Sequence, residues 1–524
     1  MRIVLVCIDN HKKILGHVFA DEWLICKAVD LPLGLASIRA YSRQDPFIRE
    51  ECRFINRIYI DSLSSGAISE DVLSQDPDLV AFSANLWNLK KTKSIWEIIK
   101  NKKPDTRVVL GGPMVPDDVE SNKKMLASDL SIDALIRGEG EIAFRQLLRY
   151  YLKKETISNI PNTALREEGG IFVNTARESL KDLSELSSPY LSGDVTIQEN
   201  ATGLLALETS RGCIYDCAYC RYHGGGRPRF FNIERIKKEI KLLKDKGFQG
   251  NVFLTDPLLN ADKKWAKSVL RILEGIDFKV CVDIRPELID DEMIGLFAKI
   301  PGLEFSVGMQ SINPVALKNI NRPTNIEKCR KVIQKLAENR VHTGIDLIMG
   351  LPGDNYETFK KTLDWVVYCR AQQVDINDLI IIPNSDLEKL AGKFKIKYNE
   401  ENMVLSSYSF SEGDMIKASH FKVGFQFLFG YYQRIFHALV YQFQYKPSAV
   451  IEQFVAVAEA LGDIPPGRLL DLSGISFSDQ TIFRFLKSLL KDREHVKYFL
   501  KLFKEHEARL KENENYRIEF MGAV

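Results

Sequence analysis

The chain has 524 residues, with 72 Lys and Arg against 70 Asp and Glu, a net charge of +2. That balance provides no basic field for a nucleic-acid backbone, and no apolar run approaches the ~20 residues of a membrane helix. The nine cysteines are an odd number, and the chain opens on a strand pattern, Met1 to Val6, rather than on a signal peptide; both features argue against a disulfide framework.

In chain order, apolar runs predict strands at Ile3 to Ile8, Asn56 to Ile60, Leu79 to Ser83, Arg107 to Leu110 and Ala134 to Ile136. They alternate with helical patterns at Leu35 to Ser42, Lys90 to Asn101, Asp118 to Ala127 and Ile142 to Leu152. That alternation predicts a doubly wound α/β domain over 1–155, with ligands across the carboxyl ends of its strands. The loops there are small and polar: Ser83 to Asn85, Gly111-Gly112-Pro113 and Gly138-Glu139-Gly140-Glu141. Glycines at such points let backbone N–H groups approach a bulky or phosphorylated ligand.

Residues 156–200 read as a connector with a hairpin at Gly169-Gly170 and a crossing segment near Pro189. Over 201–400, strands are expected at Leu204 to Leu207, Asn251 to Leu254, Lys279 to Ile284, Leu303 to Met309, Gly344 to Met349 and Asp378 to Ile382. Helical patterns at Asn232 to Lys246, Lys263 to Leu273, Asp290 to Lys299, Asn325 to Asn339 and Tyr356 to Cys369 separate them. About six such units suit a barrel or partial barrel whose site lies at the carboxyl ends of its strands. Over 401–524 the pattern is mainly helical. The aromatics of Phe421 to Tyr445 are expected in the core, with a cap over the barrel mouth as the alternative, and Ile482 to Asn513 reads as a charged amphipathic helix or pair.

Directly after the first of these barrel strands stand Cys213, Cys217 and Cys220, spaced C-x3-C-x2-C. Three thiolates on one loop hold three irons of a [4Fe–4S] cube and leave the fourth open to an added ligand. The alternative is a closed Cys3His zinc site completed by His223. Cys7, Cys26, Cys52, Cys281, Cys329 and Cys369 lie among apolar neighbours, where a thiol is usually a small buried hydrophobe.

With these motifs the barrel resembles the radical S-adenosylmethionine (SAM) superfamily. Tyr219 beside the last cysteine, Asp283 to Glu287, Gly308 to Ser311 with Asn321-Arg322, and Gly344 to Gly353 are similar to that superfamily's strand motifs. The resemblance implies that Cys213, Cys217 and Cys220 ligate iron and that the open iron takes the methionyl end of SAM. It puts Tyr219 and Ile382 near adenine, and Arg285 and Gln310 near the ribose and methionyl end. Asp256 stands where many members carry a glutamate for the methionyl amine, and it is expected to substitute for it.

The first domain is similar to the cobalamin-binding domain of one large class of these enzymes. On that resemblance Ser83, Asn85, Gly111, Gly112, Pro113, Gly138, Glu139 and Gly140 contact cobalamin. His11 only partly echoes an axial-ligand motif, so an open lower face is expected.

The implied activity is methyl transfer from SAM through methylcobalamin to an unactivated carbon of a peptide or natural product, after hydrogen abstraction by a deoxyadenosyl radical. An electron donor such as flavodoxin or ferredoxin and a cytoplasmic, anaerobic setting go with it. Ring contraction or cyclisation without net methylation, and a non-catalytic cobalamin or redox sensor, are the alternatives.

Overall fold

The computed structural model describes residues 1–9, 25–222, 226–465, 469, 477–490 and 492–512. Its first sheet contains β1 (Arg2–Asp9), β2 (Arg53–Ile60), β3 (Leu79–Ser83), β4 (Arg107–Gly111), β5 (Ala134–Ile136), β6 (Thr163–Glu167) and β7 (Gly170–Val173), in the order β2-β1-β3-β4-β5-β6-β7. The first five strands run parallel. From Ile3 to Ile8, β1 is buried at every residue, as a strand with helices on both faces must be. After β2 the chain crosses to the other side of β1 to form β3, which makes the ends of β1 and β3 the switch point where a ligand crevice opens.

Two features depart from the sequence reading. The hairpin at Gly169-Gly170 does not stand apart in a connector: β6 pairs antiparallel with β5, and β7 with β6, so it extends the first sheet. Helix Ser65–Ser74 went unpredicted because its sequence is polar and buries only Ile68, Ser69 and Val72. Parallel β2 and β3 nevertheless require such a crossover.

The second sheet begins with β8 (Leu204–Leu207). A short ribbon of β9 (Ser210–Arg211) and β10 (Arg229–Phe230) follows, then β11 (Asn251–Leu254), β12 (Lys279–Ile284), β13 (Leu303–Gln310), β14 (Thr343–Met349) and β15 (Gln373–Asp378). Six strands pair in parallel in the order β15-β14-β13-β12-β11-β8, an open, partial barrel. Helices Ile233–Asp245, Lys263–Leu273, Asp291–Phe297, Ile326–Glu338 and Tyr356–Tyr368 connect them. Asn232, Asp262, Asp290, Asn325 and Asn355 cap their N-termini by side-chain bonds, each contributing about 1 kcal/mol.

The last barrel strand lies earlier than expected, at Gln373–Asp378 rather than 378–382. It alternates polar residues with buried Val374 and Ile376, a pattern hidden from a search for apolar runs. The apolar 379–382 stretch is instead held by Asn402 and Met403: Ile381 N–H donates to the Asn402 carbonyl, and Ile380 bridges Met403.

Helices Glu412–Gln426, Pro447–Leu461, Asp479–Leu489 and Arg493–Glu512 follow, with π-helical turns at Phe427–Tyr431 and Ala438–Gln442. Their aromatics form core: Phe425, Phe429, Phe436, Phe454 and Phe485 are buried, and Phe425 stacks on Phe429 at 5.0 Å. Buried Lys422 anchors this layer to the barrel edge by donating to both Asp378 carboxylate oxygens at 2.7 and 2.8 Å.

Candidate functional site

The cysteine loop leaves β9 through Gly212, whose φ of +94° suits glycine. Each of its three sulfurs accepts one N–H. Tyr215 N–H donates to Cys213 Sγ at 3.5 Å, Tyr222 N–H to Cys220 Sγ at 3.3 Å, and Arg322 Nη1 to Cys217 Sγ at 3.4 Å. Burial raises the Cys213 and Cys220 thiols, so a metal must displace tightly held protons. Among the described residues no three His, Cys, Asp or Glu side chains converge on one ion-sized point. Cys213, Cys217 and Cys220 carry free thiols, the ligand type that both a four-iron cluster and a zinc ion take. His223, the fourth ligand of the zinc alternative, lies outside the described residues.

Two arginines wall this loop. Arg285, 3% exposed, lies over the Tyr215 ring at 4.0 Å. Its backbone is pinned by a reciprocal pair with Asn260, at 3.0 and 2.8 Å. Its Nη2 donates to Glu287 at 2.5 Å, to the Pro323 carbonyl and to Thr324, whereas its buried Nε and Nη1 have no protein acceptor. Arg322, 8% exposed, also donates to the Gly308 carbonyl, and its buried Nε is likewise open. Burial opposes the charge of Arg322, yet Tyr219 and Cys217 leave it more basic than usual. Buried N–H groups without acceptors cost free energy unless a ligand satisfies them, so this wall fits an anionic partner. Sequence reasoning singled out Arg285 but left Arg322 as a motif residue without a role.

The barrel interior beside the loop is acidic. Alternation along the strands turns Asp283 of β12, Ser306 of β13, Asp346 of β14 and Asp375 of β15 inward. Asp283 pairs in register with Ser306, and Asp346 with Asp375; Ser306 Oγ donates to Asp346. Burial, then Asp346, pushes Asp283 up to about 7, and burial pushes Asp375 up to about 6. Tyr222 keeps 60% of its surface open, although burial and Asp283 push its phenol up to about 12. None of these inward groups was expected to form part of the site.

Of the remaining barrel residues, Gln310 has a φ of +64° at the bulge of β13, a strained position for a residue with a side chain. Tyr219 packs with Ala218 and Ile320. Ile382 lies four residues past β15, and the next residue reaches the cysteine loop: Arg221 donates to the Pro383 carbonyl at 3.1 Å. Asp256 departs from expectation. It is 1% exposed and accepts from Thr209 N–H at 3.0 Å, Thr209 Oγ1 at 2.6 Å and Ser210 Oγ. Those three donors occupy both oxygens, and the carboxylate splints the end of β8 rather than facing a ligand.

At the first sheet, Ser83 and Gly111 are the last residues of β3 and β4 and pair in register, and Asn85 and Gly112 lie in the loops that follow. Ala84 N–H donates to the Gly111 carbonyl at 2.8 Å, and Asn88 Oδ1 accepts from Asn85 N–H at 2.9 Å. A Cβ on Gly112, at φ +99°, would lie 2.8 Å from the Ala84 carbonyl oxygen, so this glycine serves the packing of one loop on the other. A Cβ on Gly111 would meet nothing within 4 Å. Pro113 is exposed, as is Trp87 (50%) in the neighbouring loop, an aromatic that sequence reasoning missed. Gly111 thus has open space over it, and Trp87 presents a bare indole to solvent. Gly138 is at φ +65°, and a Cβ on Gly140 would crowd Ile38 at 3.3 Å. His11 lies outside the described residues.

Glu139 also departs from its expected part, because its carboxylate is taken up between the two sheets. Arg211, immediately before Gly212, donates to Glu208 at 2.9 Å, to Glu141 at 2.7 Å and to Glu139 at 3.2 Å. Arg229 of β10 also donates to Glu139. On the other side of the loop, Arg221 pairs with Asp117 at 3.1 Å. Burial and then Glu141 and Glu208 act on Arg211, which stays charged. These pairs join the cysteine loop to the loops after β4 and β5, so the carboxyl ends of both sheets meet at one place.

Comparison with known proteins agrees with this arrangement. Residues 207–366 match the family model of the radical SAM superfamily, and residues 31–148 match that of the B12 binding domain. The chain thus contains a radical SAM domain and a B12 binding domain, the pairing that goes with a [4Fe–4S] cluster, SAM and cobalamin. It is 27% identical over 386 residues to a 2-(S-pantetheinyl)-carbapenam-3-carboxylate methyltransferase of Streptantibioticus cattleyicolor, covering 69% of this chain and 55% of that one. It is 26% identical over 381 residues to the cobalamin-dependent radical SAM methyltransferase TokK of Streptomyces tokunonensis, covering 68% and 54%. The chain thus spans about half the length of the curated relatives it matches. The structure of OxsB with aqua-cobalamin and SAM superposes with a TM-score of 0.61 at 14% identity, over 99% of this chain and 81% of that one, which is a likeness of fold.

Proposed function

We propose that the protein is a methyltransferase that moves a methyl group from SAM, by way of cobalamin, to an unactivated carbon of a small molecule or peptide. The observation that carries this reading is the joining of the cysteine loop to the first sheet's ligand loops through Arg211, Glu139, Glu141, Arg221 and Asp117. A substrate at that junction lies within reach of both halves. When bound, the cluster with SAM supplies hydrogen abstraction from carbon, and cobalamin supplies the methyl group.

The chain's own residues do the holding and shaping. Cys213, Cys217 and Cys220 provide three thiolates, and the open N–H groups of Arg285 and Arg322 provide acceptor-free donors for the carboxylate of the methionyl end. Tyr219, Gln310 and the segment at Ile382 line the same mouth. Gly111, Ser83, Asn85, Pro113 and Trp87 offer the surface for the macrocycle, with Gly138 and Gly140 setting the neighbouring loop, while Glu139 and Asp256 act as struts. Asp283 and Asp375 face the interior raised by burial to about 7 and about 6, so Asp283 keeps part of its proton at neutral pH and can donate a hydrogen bond to a polar substrate. The fold divides, on this reading, into 1–155 with the hairpin at 163–173 added to its sheet, a connector over the rest of 156–200, the barrel 201–400 and the helical 401–524. A one-electron donor of the flavodoxin or ferredoxin type and a cytoplasmic setting complete it; among the described residues no helix is long and apolar enough to cross a membrane.

The test is turnover with methyl-labelled SAM in reconstituted protein. Label should pass to cobalamin and then to product, with one S-adenosylhomocysteine and one deoxyadenosine per methyl transferred. Cys217→Ala should lose most of the iron and all deoxyadenosine. A product of unchanged carbon count would move the reading to ring chemistry, and a wild-type protein that binds neither cofactor would end it.

A further inference from the structure

The inward face of the cysteine loop presents one contact of a different kind from the other two. Cys213 and Cys220 take their N–H from the backbone two residues on, inside the loop itself. Cys217 takes it from the side chain of Arg322, 105 residues away, at 3.4 Å, and Cys217 is the most buried of the three thiols. The other arm of the same guanidinium is fixed on the Gly308 carbonyl, where a Cβ on Gly308 would stand 3.0 Å from Nη2. A Cβ at 308 would crowd both Gln310 Nε2, at 2.6 Å, and this guanidinium, so glycine there leaves room for the arginine beside β13. The arginine is therefore aimed at one sulfur by a backbone acceptor and a side-chain-free strand position.

We infer that Arg322 is a positioning residue that sets the reduction potential of the cluster through the Cys217 sulfur. The inference rests on the cluster reading above and adds to it a residue and a physical role. Hydrogen bonds to ligating sulfurs, net charge and burial govern cluster potentials, and a full positive charge acts strongly where water is excluded. In reduction the cluster gains one electron from an external reductant such as dithionite, and no bond to the protein is made or broken. The added negative charge is stabilised by the adjacent guanidinium, so Arg322 raises the potential. Its buried Nε is left without a protein acceptor.

The experiment is a mediated redox titration of reconstituted full-length protein, read by the paramagnetic signal of the reduced cluster, without SAM. Arg322→Gln keeps a donor but removes the charge. At the wild-type midpoint it should lower the ratio of reduced to oxidised cluster about tenfold, a shift of about 59 mV for one electron. Arg322→Lys keeps the charge on a differently shaped head and should fall between the two. A role in packing alone would lower thermal stability or iron content and leave the midpoint of the remaining cluster in place, which would overturn the inference. So would a loss of SAM affinity with an unmoved midpoint, which would make Arg322 only a ligand to the methionyl carboxylate. If the Gln variant retains no cluster, the Lys variant decides, and a midpoint equal to wild type counts against the inference. Wild-type protein without a four-iron cluster would instead defeat the underlying reading.

Discussion

Replacing Asp283 by Asn should abolish much of the pH dependence of stability between about pH 4 and pH 7. Asp283 sits inside the barrel with Asp346, Ser306, Asp256 and Tyr222 facing it, and burial with the Asp346 charge raises it from 3.8 to about 7. Because the folded value exceeds the unfolded one, the folded state holds the extra proton in that window. Stability from this group is therefore fully present below pH 3.8 and is lost as pH rises through 7. Some three pH units at 1.36 kcal/mol each give a loss of about 4 kcal/mol. Asp375, raised to about 6, adds a smaller change of the same sign that the substitution leaves in place. Denaturant unfolding of wild type and Asp283→Asn should be followed from pH 4 to pH 8 in apoprotein. The stability of wild type relative to the variant should decline steadily and level off above pH 7. A constant difference across the range would refute the reasoning, because it would mean that Asp283 is ionised in both states.

Two further outcomes follow from the contacts between the sheets and within the first sheet. Arg211→Met leaves the buried carboxylates of Glu141 and Glu208 without their cation, a loss of about 3–5 kcal/mol. At about 2–4 °C per kcal/mol for domains of this size, calorimetry should record a melting temperature lower by about 6–20 °C; a fall of under 2 °C would show that the pairs are solvated. Gly112→Ala places a Cβ 2.8 Å from the Ala84 carbonyl oxygen at a positive φ and should cost about 1–3 kcal/mol in thermal unfolding. Gly111→Ala meets no protein atom, so it should leave stability unchanged while weakening hydroxocobalamin binding in an absorbance titration; equal effects of the two glycines on stability would contradict this division.

Much of this molecule is decided by sequence that acts locally. Runs such as Ile3 to Ile8 and Asn251 to Leu254 are apolar enough to be strands under helices on both faces, and their alternation with capped amphipathic helices leaves few topologies open. The spacing of Cys213, Cys217 and Cys220 fixes a three-thiolate loop before any contact is known. The helix at Ser65–Ser74 and strand Gln373–Asp378 escaped because their partners, not their own hydrophobicity, decide them.

Polar commitments are another matter. Asp256 and Glu139 look like ligand groups in sequence, yet hydroxyls of Thr209 and Ser210 saturate one, and Arg211 with Arg229 saturates the other, 72 and 90 residues away in the chain. Arg322 and Arg285 enter the proposed site for the opposite reason: packing leaves buried N–H groups of both without acceptors. A side chain's hydrogen-bonding capacity is written in its residue type, but what remains of that capacity for a ligand depends on which distant groups the fold brings against it, and that only the tertiary structure decides.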